Sequence, residues 1–315
     1  MRALLAGMGA AEALAHPGEA RVLATLPRAL YVATPGGIAA FVAPGVDPGP
    51  LHVLLDAAPT REAARIGLAG VPVWRGALLD PGSLAAALPL VLQVLDLVAG
   101  SNLVPAERAT AAVLALARGD LPEAATRLGG AGPGLTPAGD DALGGILFAR
   151  RAIGGDACGD DLVAIASGVH TTGISGAFLL WAARGQALAP VHDLLAAAVA
   201  GDVAGAASAA RALGGIGHSS GADFAQGLSW GLRLAPGARV LSGRPQQTSS
   251  ITQPPGPLLT TDNPRGTTKS REDLCSNEGT CSRNSAADGA EPSSRHSAWP
   301  SVWASSSASS ASTRG

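Results

Sequence analysis

GAGPGLTPAGDD, residues 130–141, packs four glycines, two prolines, a threonine and two adjacent aspartates into one short stretch. How it is read decides the fold. A phosphate loop of the GxxxxGK[ST] type would make the chain a nucleotide-binding α/β protein, but the pattern is absent and the single lysine, Lys269, is far away. A GxGxxG dinucleotide fingerprint has to follow a strand. Here Gly130 and Gly132 follow LPEAATRL (121–128), a helical segment. What remains is a helix C-cap glycine, a tight turn and a new helix. Thr136 is its expected N-cap and Pro137 its first helical residue, with Asp140 and Asp141 in the first turn, where the macrodipole favours carboxylates.

Upstream of this turn, residues 20–75 carry RVLATL, ALYVAT, GIAAFVA and LHVLL, short apolar runs separated by PR, TPG and PGVDPGP. These read as strands joined by turns. From about residue 82 the pattern becomes Ala/Leu-rich segments punctuated by Gly, Pro or Asp. Helices are expected over 83–98, 105–117, 121–128, 142–153, 161–169, 174–184, 190–200, 202–213 and 221–234, with Pro89 kinking or splitting the first. The fold class is therefore α+β: a β-rich N-terminal unit, residues 1–81, packed on an Ala/Gly-rich helical domain, residues 82–241. From residue 242 onward the chain is rich in Ser and Thr without a hydrophobic period. Such a segment buries too little surface to offset its ordering entropy, so 242–315 is expected to be a disordered, dispensable tail.

Composition sets the outer limits. The chain is 47% hydrophobic but only 3% aromatic, so its core must be built from Ala, Leu and Val. A net charge of −2 gives no electrostatic case for nucleic acid or an anionic membrane. The longest apolar stretch, residues 83–100, contains Gln93 and Asp96 and falls short of the roughly 20 apolar residues of a membrane span. MRALLAGMGAAEALAH at the N-terminus imitates a signal peptide, but Glu12 interrupts it. Three cysteines form neither a disulfide framework nor a metal set. A soluble, cytoplasmic protein is expected.

The turn at 130–141 has echoes. PAGDDALGGIL (137–147) matches SSGADFAQGLS (219–229), pairing Gly139 with Gly221, Asp141 with Asp223 and Gly145 with Gly227, each 82 positions apart. HTTGISGAF (170–178) partly matches HSSGADFAQ (218–226), pairing His170 with His218 at a spacing of 48. Capping alone explains each block singly: Ser220 as N-cap with Asp223 three residues on is a capping box. It explains the recurrence less well. Three helix N-termini brought together would expose N–H groups along Gly132, Gly134, Gly139 and Gly221, beside the hydroxyls of Thr136, Thr171, Thr172, Ser175, Ser219 and Ser220 and the carboxylate of Asp140. Such a site suits a small anion. His170 or His218 would move protons near neutral pH. Asp141 and Asp223 would orient a histidine or bind an NH₂ group; two carboxylates without accessory ligands give little support for a divalent cation. The catalytic candidates are Asp141, His218 and Asp223, with no metal or other cofactor.

GPGLTPAGDDALGGIL, TTGISGAFLLWAARG and GIGHSSGADFAQGLSWGL together resemble, in order, the three hallmark blocks of the AllH-like family, over about residues 130–234. This bacterial family has been loosely called carboxylases. The resemblance implies a subunit of oxamate carbamoyltransferase or a related complex. With two other subunits, that complex exchanges a carbamoyl group between oxalurate and phosphate in allantoin-derived purine catabolism. The implied ligands (oxalurate, oxamate, carbamoyl phosphate and phosphate) are small anions. Two rivals stand beside this reading: a non-catalytic scaffold subunit of such a complex, and a stand-alone carboxylase-like enzyme, for which no nucleotide loop or biotinyl-lysine context is present.

Overall fold

Two separate hydrophobic clusters divide the work of folding, one beneath the N-terminal strands and one among the helices. The computed structural model describes residues 1–16, 18–98, 100–101 and 103–235. The tail expected from 242 lies outside these residues. The described residues belong to one compact unit, Met1–Thr248, and its fold is α+β.

The sheet contains six strands: β1 (Ala3–Gly7), β2 (Arg21–Leu26), β3 (Ala29–Thr34), β4 (Gly37–Val42), β5 (His52–Leu55) and β6 (Val73–Trp74), in the order β2-β3-β4-β5-β1-β6. β2, β3 and β4 form an antiparallel meander; β5 joins β4 in parallel, β1 runs antiparallel to β5, and β6 is parallel to β1. The four strands visible as apolar runs are all present. β1 and the helix after it, α1 (Met8–Ala15), lie beyond the strand pattern because MRALLAGMGAAEALA has neither a turn signal nor a period that separates them.

Alternation along the strands gives the sheet two faces. Leu30 and Val32 of β3, Ala39 and Phe41 of β4, and Val53 and Leu55 of β5 are fully enclosed on one face, beneath α1 and the short 3₁₀ turn Arg61–Arg65. Tyr31, paired with Ala40, and His52, also paired with Ala40, belong to the other face.

Helices fill the remainder: α2 (Pro81–Leu95), α3 (Ala106–Ala117), α4 (Leu121–Leu128), α5 (Ala138–Gly154), α6 (Gly159–Ser167), α7 (Gly173–Ala183), α8 (Ala189–Val199), α9 (Val203–Gly214) and α10 (Ser220–Arg233). α2 is not split: it runs through Pro89. The buried stripe Leu84, Leu88, Val91 and Leu95 offsets the lost hydrogen bond, and Pro89 itself faces solvent.

The 82-residue repeat seen in the glycine blocks extends over three helices. α4 and α9 start 82 positions apart, as do α5 and α10. Asp120 caps α4 by accepting from Glu123 N at 3.0 Å, and Asp202 caps α9 by accepting from Gly205 N at 2.9 Å. The glycine before each cap has a left-handed backbone, Gly119 at φ +81° and Gly201 at φ +73°. The units α3-α4-α5 and α8-α9-α10 thus repeat one another, with α6 and α7 between them.

Candidate functional site

α5 and α10 approach so closely that a Cβ on Gly145 would collide with the Phe224 carbonyl, and one on Gly227 with the Ala142 carbonyl. The helix glycines serve this close approach. Gly139 and Gly221, in the first turns of the same helices, likewise leave room for the carbonyls of Leu128 in α4 and Leu213 in α9. Two of the donors expected to be open are satisfied internally: Gly139 N bonds Ala131 O at 2.7 Å and Gly221 N bonds Ile216 O at 3.1 Å, while Asp140 N and Asp141 N bond Pro137 O.

The expected caps are rearranged as well. Pro137, not Thr136, occupies the N-cap of α5, and the Thr136 Oγ1 lies 3.1 Å from Ser220 Oγ instead. α10 begins one residue earlier than expected, at Ser220, with Ser219 at the cap position and no side-chain cap bond. Asp223 does not complete a capping box. It is buried, and its Oδ1 accepts from Ser101 Oγ at 2.6 Å and from Ser101 N at 3.3 Å. Thr172 does cap α7, accepting from Ser175 N at 3.1 Å, and its own hydroxyl donates to Leu135 O. Bonds from one block to another (Thr136 to Ser220, Thr172 to Leu135, Thr171 to Asp140) draw the three blocks together.

A cavity of about 800 Å³ lies where these blocks meet the second face of the sheet. Of the residues singled out from sequence, Gly134, Thr136, Asp140, Asp141, Ser175, His218, Ser219, Ser220 and Gly221 line it. Gly132, Gly139, Thr171, Thr172 and Asp223 are not in its lining. His170 is exposed elsewhere, outside that lining. Asp140 borders the cavity with both oxygens in use: Oδ1 accepts from Gly130 N at 2.7 Å, and Oδ2 accepts from the Thr171 hydroxyl. It braces the turn against α7.

Asp141 is different. Its Oδ2 is buried without a hydrogen-bond partner, and burial pushes its pKa up to about 8. The negative charges of Asp223 and Asp140 push in the same direction, while the nearby Ser220 and Thr136 hydroxyls act against them. Asp141 is therefore a mostly protonated carboxylic acid at neutral pH. Ser175 adds a second unused polar atom: its Oγ is buried without a partner, at 2% residue exposure. Among the described residues, no group of three or more His, Cys, Asp or Glu side chains is placed to hold a metal ion.

The sheet supplies residues that motif reading did not reach. Tyr31, Arg28 and His52 all line the cavity. Tyr31 is the chain's one tyrosine, and its phenol pKa is raised by burial and then by the charge of Asp141. His52 is buried, bonds Asp47 O through Nδ1 at 2.8 Å, and packs edge-on to Phe178. Burial holds its pKa below the usual imidazole range. A signal was present: in ALYVAT and HVLL, Tyr31 and His52 sit out of phase with the apolar residues that face the first core.

Comparison with known proteins bears on the same residues. A family model described as oxamate carbamoyltransferase subunit AllH matches residues 128–232. This segment is AllH-like. The match, a third of the chain, runs from the end of α4 almost to the end of α10 and so contains every block around the cavity. No curated protein and no solved structure matches the chain. Among the described residues, no helix is long and apolar enough to cross a membrane.

Proposed function

We propose that the chain is the substrate-binding subunit of an oxamate carbamoyltransferase-type complex, with the cavity holding oxalurate, oxamate, carbamoyl phosphate or phosphate. The observation that carries this reading is Asp141, a carboxyl with its pKa pushed up to about 8 inside the AllH-like segment. A protonated carboxyl adds no negative charge to a site for anions and donates a hydrogen bond to them. Arg28 brings positive charge from the β2–β3 turn, and Thr136, Ser175, Ser219 and Ser220 offer hydroxyls.

In carbamoyl exchange, a phosphate oxygen bonds to the carbamoyl carbon of oxalurate and the C–N bond to the oxamate nitrogen breaks. That nitrogen takes up a proton. Asp141 donates it, then recovers the proton that phosphate gives up, relayed through Ser220 or His218. Asp223 acts behind the cavity wall, holding Ser101 and keeping the Asp141 proton in place by its charge.

The test is carbamoyl phosphate formation from oxalurate and phosphate by the assembled complex. Asp141→Asn and His218→Ala should each slow turnover while the complex still assembles. Full activity without this chain, or with Asp141→Asn, would overturn the proposal.

A further inference from the structure

A second cavity of about 650 Å³ shares Gln186 with the first but none of its proposed machinery. Three guanidiniums line it: Arg75 after β6, Arg151 in the last turn of α5, and Arg184 at the end of α7. Their acidic partners differ in how they hold them. Arg151 pairs with Asp156, whose side chain is 99% exposed; Arg184 lies 3.9 Å from Glu12, both well exposed. Arg75 makes no ion pair among the described residues. Three arginines against two carboxylates leave the wall net positive.

The wall is also preformed. Gln186, buried, accepts from Gly76 N at 2.9 Å and donates to Gly76 O at 3.0 Å. His192, also buried, lies 3.0 Å from Ala77 O through Nδ1 and accepts from Ala187 N through Nε2 at 3.2 Å. This pattern fixes one neutral tautomer, with the proton on Nδ1. A Cβ at Gly76 would strike the His192 ring. These contacts clamp the Arg75–Leu78 segment to the α7–α8 connection. The Arg184 guanidinium sits 4.9 Å from the centre of the Trp181 ring, with Met8 and Leu78 completing an apolar side.

We propose that this second cavity binds a small organic carboxylate. Its volume lies within the roughly 300–1,000 Å³ of small-molecule sites. A planar guanidinium matches a carboxylate with two parallel hydrogen bonds. One excess positive charge is balanced by a monoanion, and Met8, Leu78 and Trp181 cover an apolar body that a bare inorganic ion lacks. Preformed walls reduce the ordering cost of binding.

Isothermal titration of the full chain at low ionic strength tests this, with hexanoate and benzoate as probes and inorganic phosphate and a glutamate-rich peptide as comparisons. The carboxylates should bind saturably. Arg75→Gln and Arg184→Gln, both at exposed positions, should each weaken them by about tenfold or more. Arg211→Gln, at an exposed position outside both cavities, should leave them unchanged, and the readout is binding rather than turnover, so the result is independent of the carbamoyl-transfer reading. No saturable carboxylate binding, equal affinity in both arginine variants, or tighter binding of phosphate or of the peptide would each overturn it.

Discussion

Gly145 of α5 and Gly227 of α10 are reciprocal neighbours, each facing a backbone carbonyl of the other's helix with no room for a Cβ. The carbonyls belong to Phe224 and Ala142, which are themselves 82 positions apart, like the glycines. The two helices therefore meet about an approximate two-fold axis, and the paired acids Asp141 and Asp223 follow from that packing.

Gly227→Ala tests the packing directly. Alanine favours a free helix by up to about 1 kcal/mol over glycine. The collision with the Ala142 carbonyl acts the other way, as an overpacking cost of about 1–3 kcal/mol or more. Urea unfolding should show net destabilisation. A neutral or stabilised variant would mean that these helices have slack.

Asp141 makes stability depend on pH. Its folded pKa, about 8, lies above the ordinary 3.8, so the folded state holds the proton more tightly than the unfolded chain does. The group's contribution is fully present below pH 3.8 and is lost progressively as pH rises toward 8, with a limiting slope of about 1.4 kcal/mol per pH unit. Asp141→Asn removes the titration. Its unfolding free energy should stay flatter over this window and exceed that of the natural chain at pH 8. The cap-sized loss of about 0.5–2 kcal/mol that a simple helix-start role would give is the contrary result.

The helices were legible because Gly, Pro and Asp punctuate an otherwise uniform Ala/Leu background, and the capping aspartates Asp120 and Asp202 mark their starts. The α+β division was legible in the switch from turn-separated apolar runs to helical segments. Less of the site could be read. Hydroxyls next to a helix start look like caps, yet Thr136 and Ser220 bond each other and Asp223 bonds Ser101, distant in sequence. The contribution of the sheet was hidden because Arg28, Tyr31 and His52 belong to no motif; only strand phase places the latter two on the cavity face.

Asp140 should prove structural. It is 2% exposed, and its carboxylate joins Gly130 N to the Thr171 hydroxyl, tying two of the three blocks. Asp140→Ala removes the carboxylate's bonds to Gly130 N and to the Thr171 hydroxyl, at a cost of about 1.5–3 kcal/mol for a hydrogen bond to a charged group. The expected outcome is a lower thermal midpoint, with Thr171→Val reproducing part of the loss. Unchanged stability in Asp140→Ala with abolished ligand binding would instead place Asp140 among the ligand contacts.

Tyr31 offers a spectroscopic view of the cavity because the chain has no other tyrosine. Burial raises its phenol pKa above 10.0, and the charge of Asp141 raises it further. By the pH at which the phenol ionises, Asp141 has already lost its proton, since its own pKa is about 8. An ultraviolet titration should therefore show a single phenolate midpoint above 10.0. Asp141→Asn removes the charge but not the burial, so the midpoint should fall toward 10.0 without reaching it. Arg28→Gln gives the complementary test on ligand affinity: losing the guanidinium should weaken anion binding by about tenfold or more. An unmoved phenolate midpoint in Asp141→Asn would separate Tyr31 from Asp141, and the cavity would lose its link between sheet and helices.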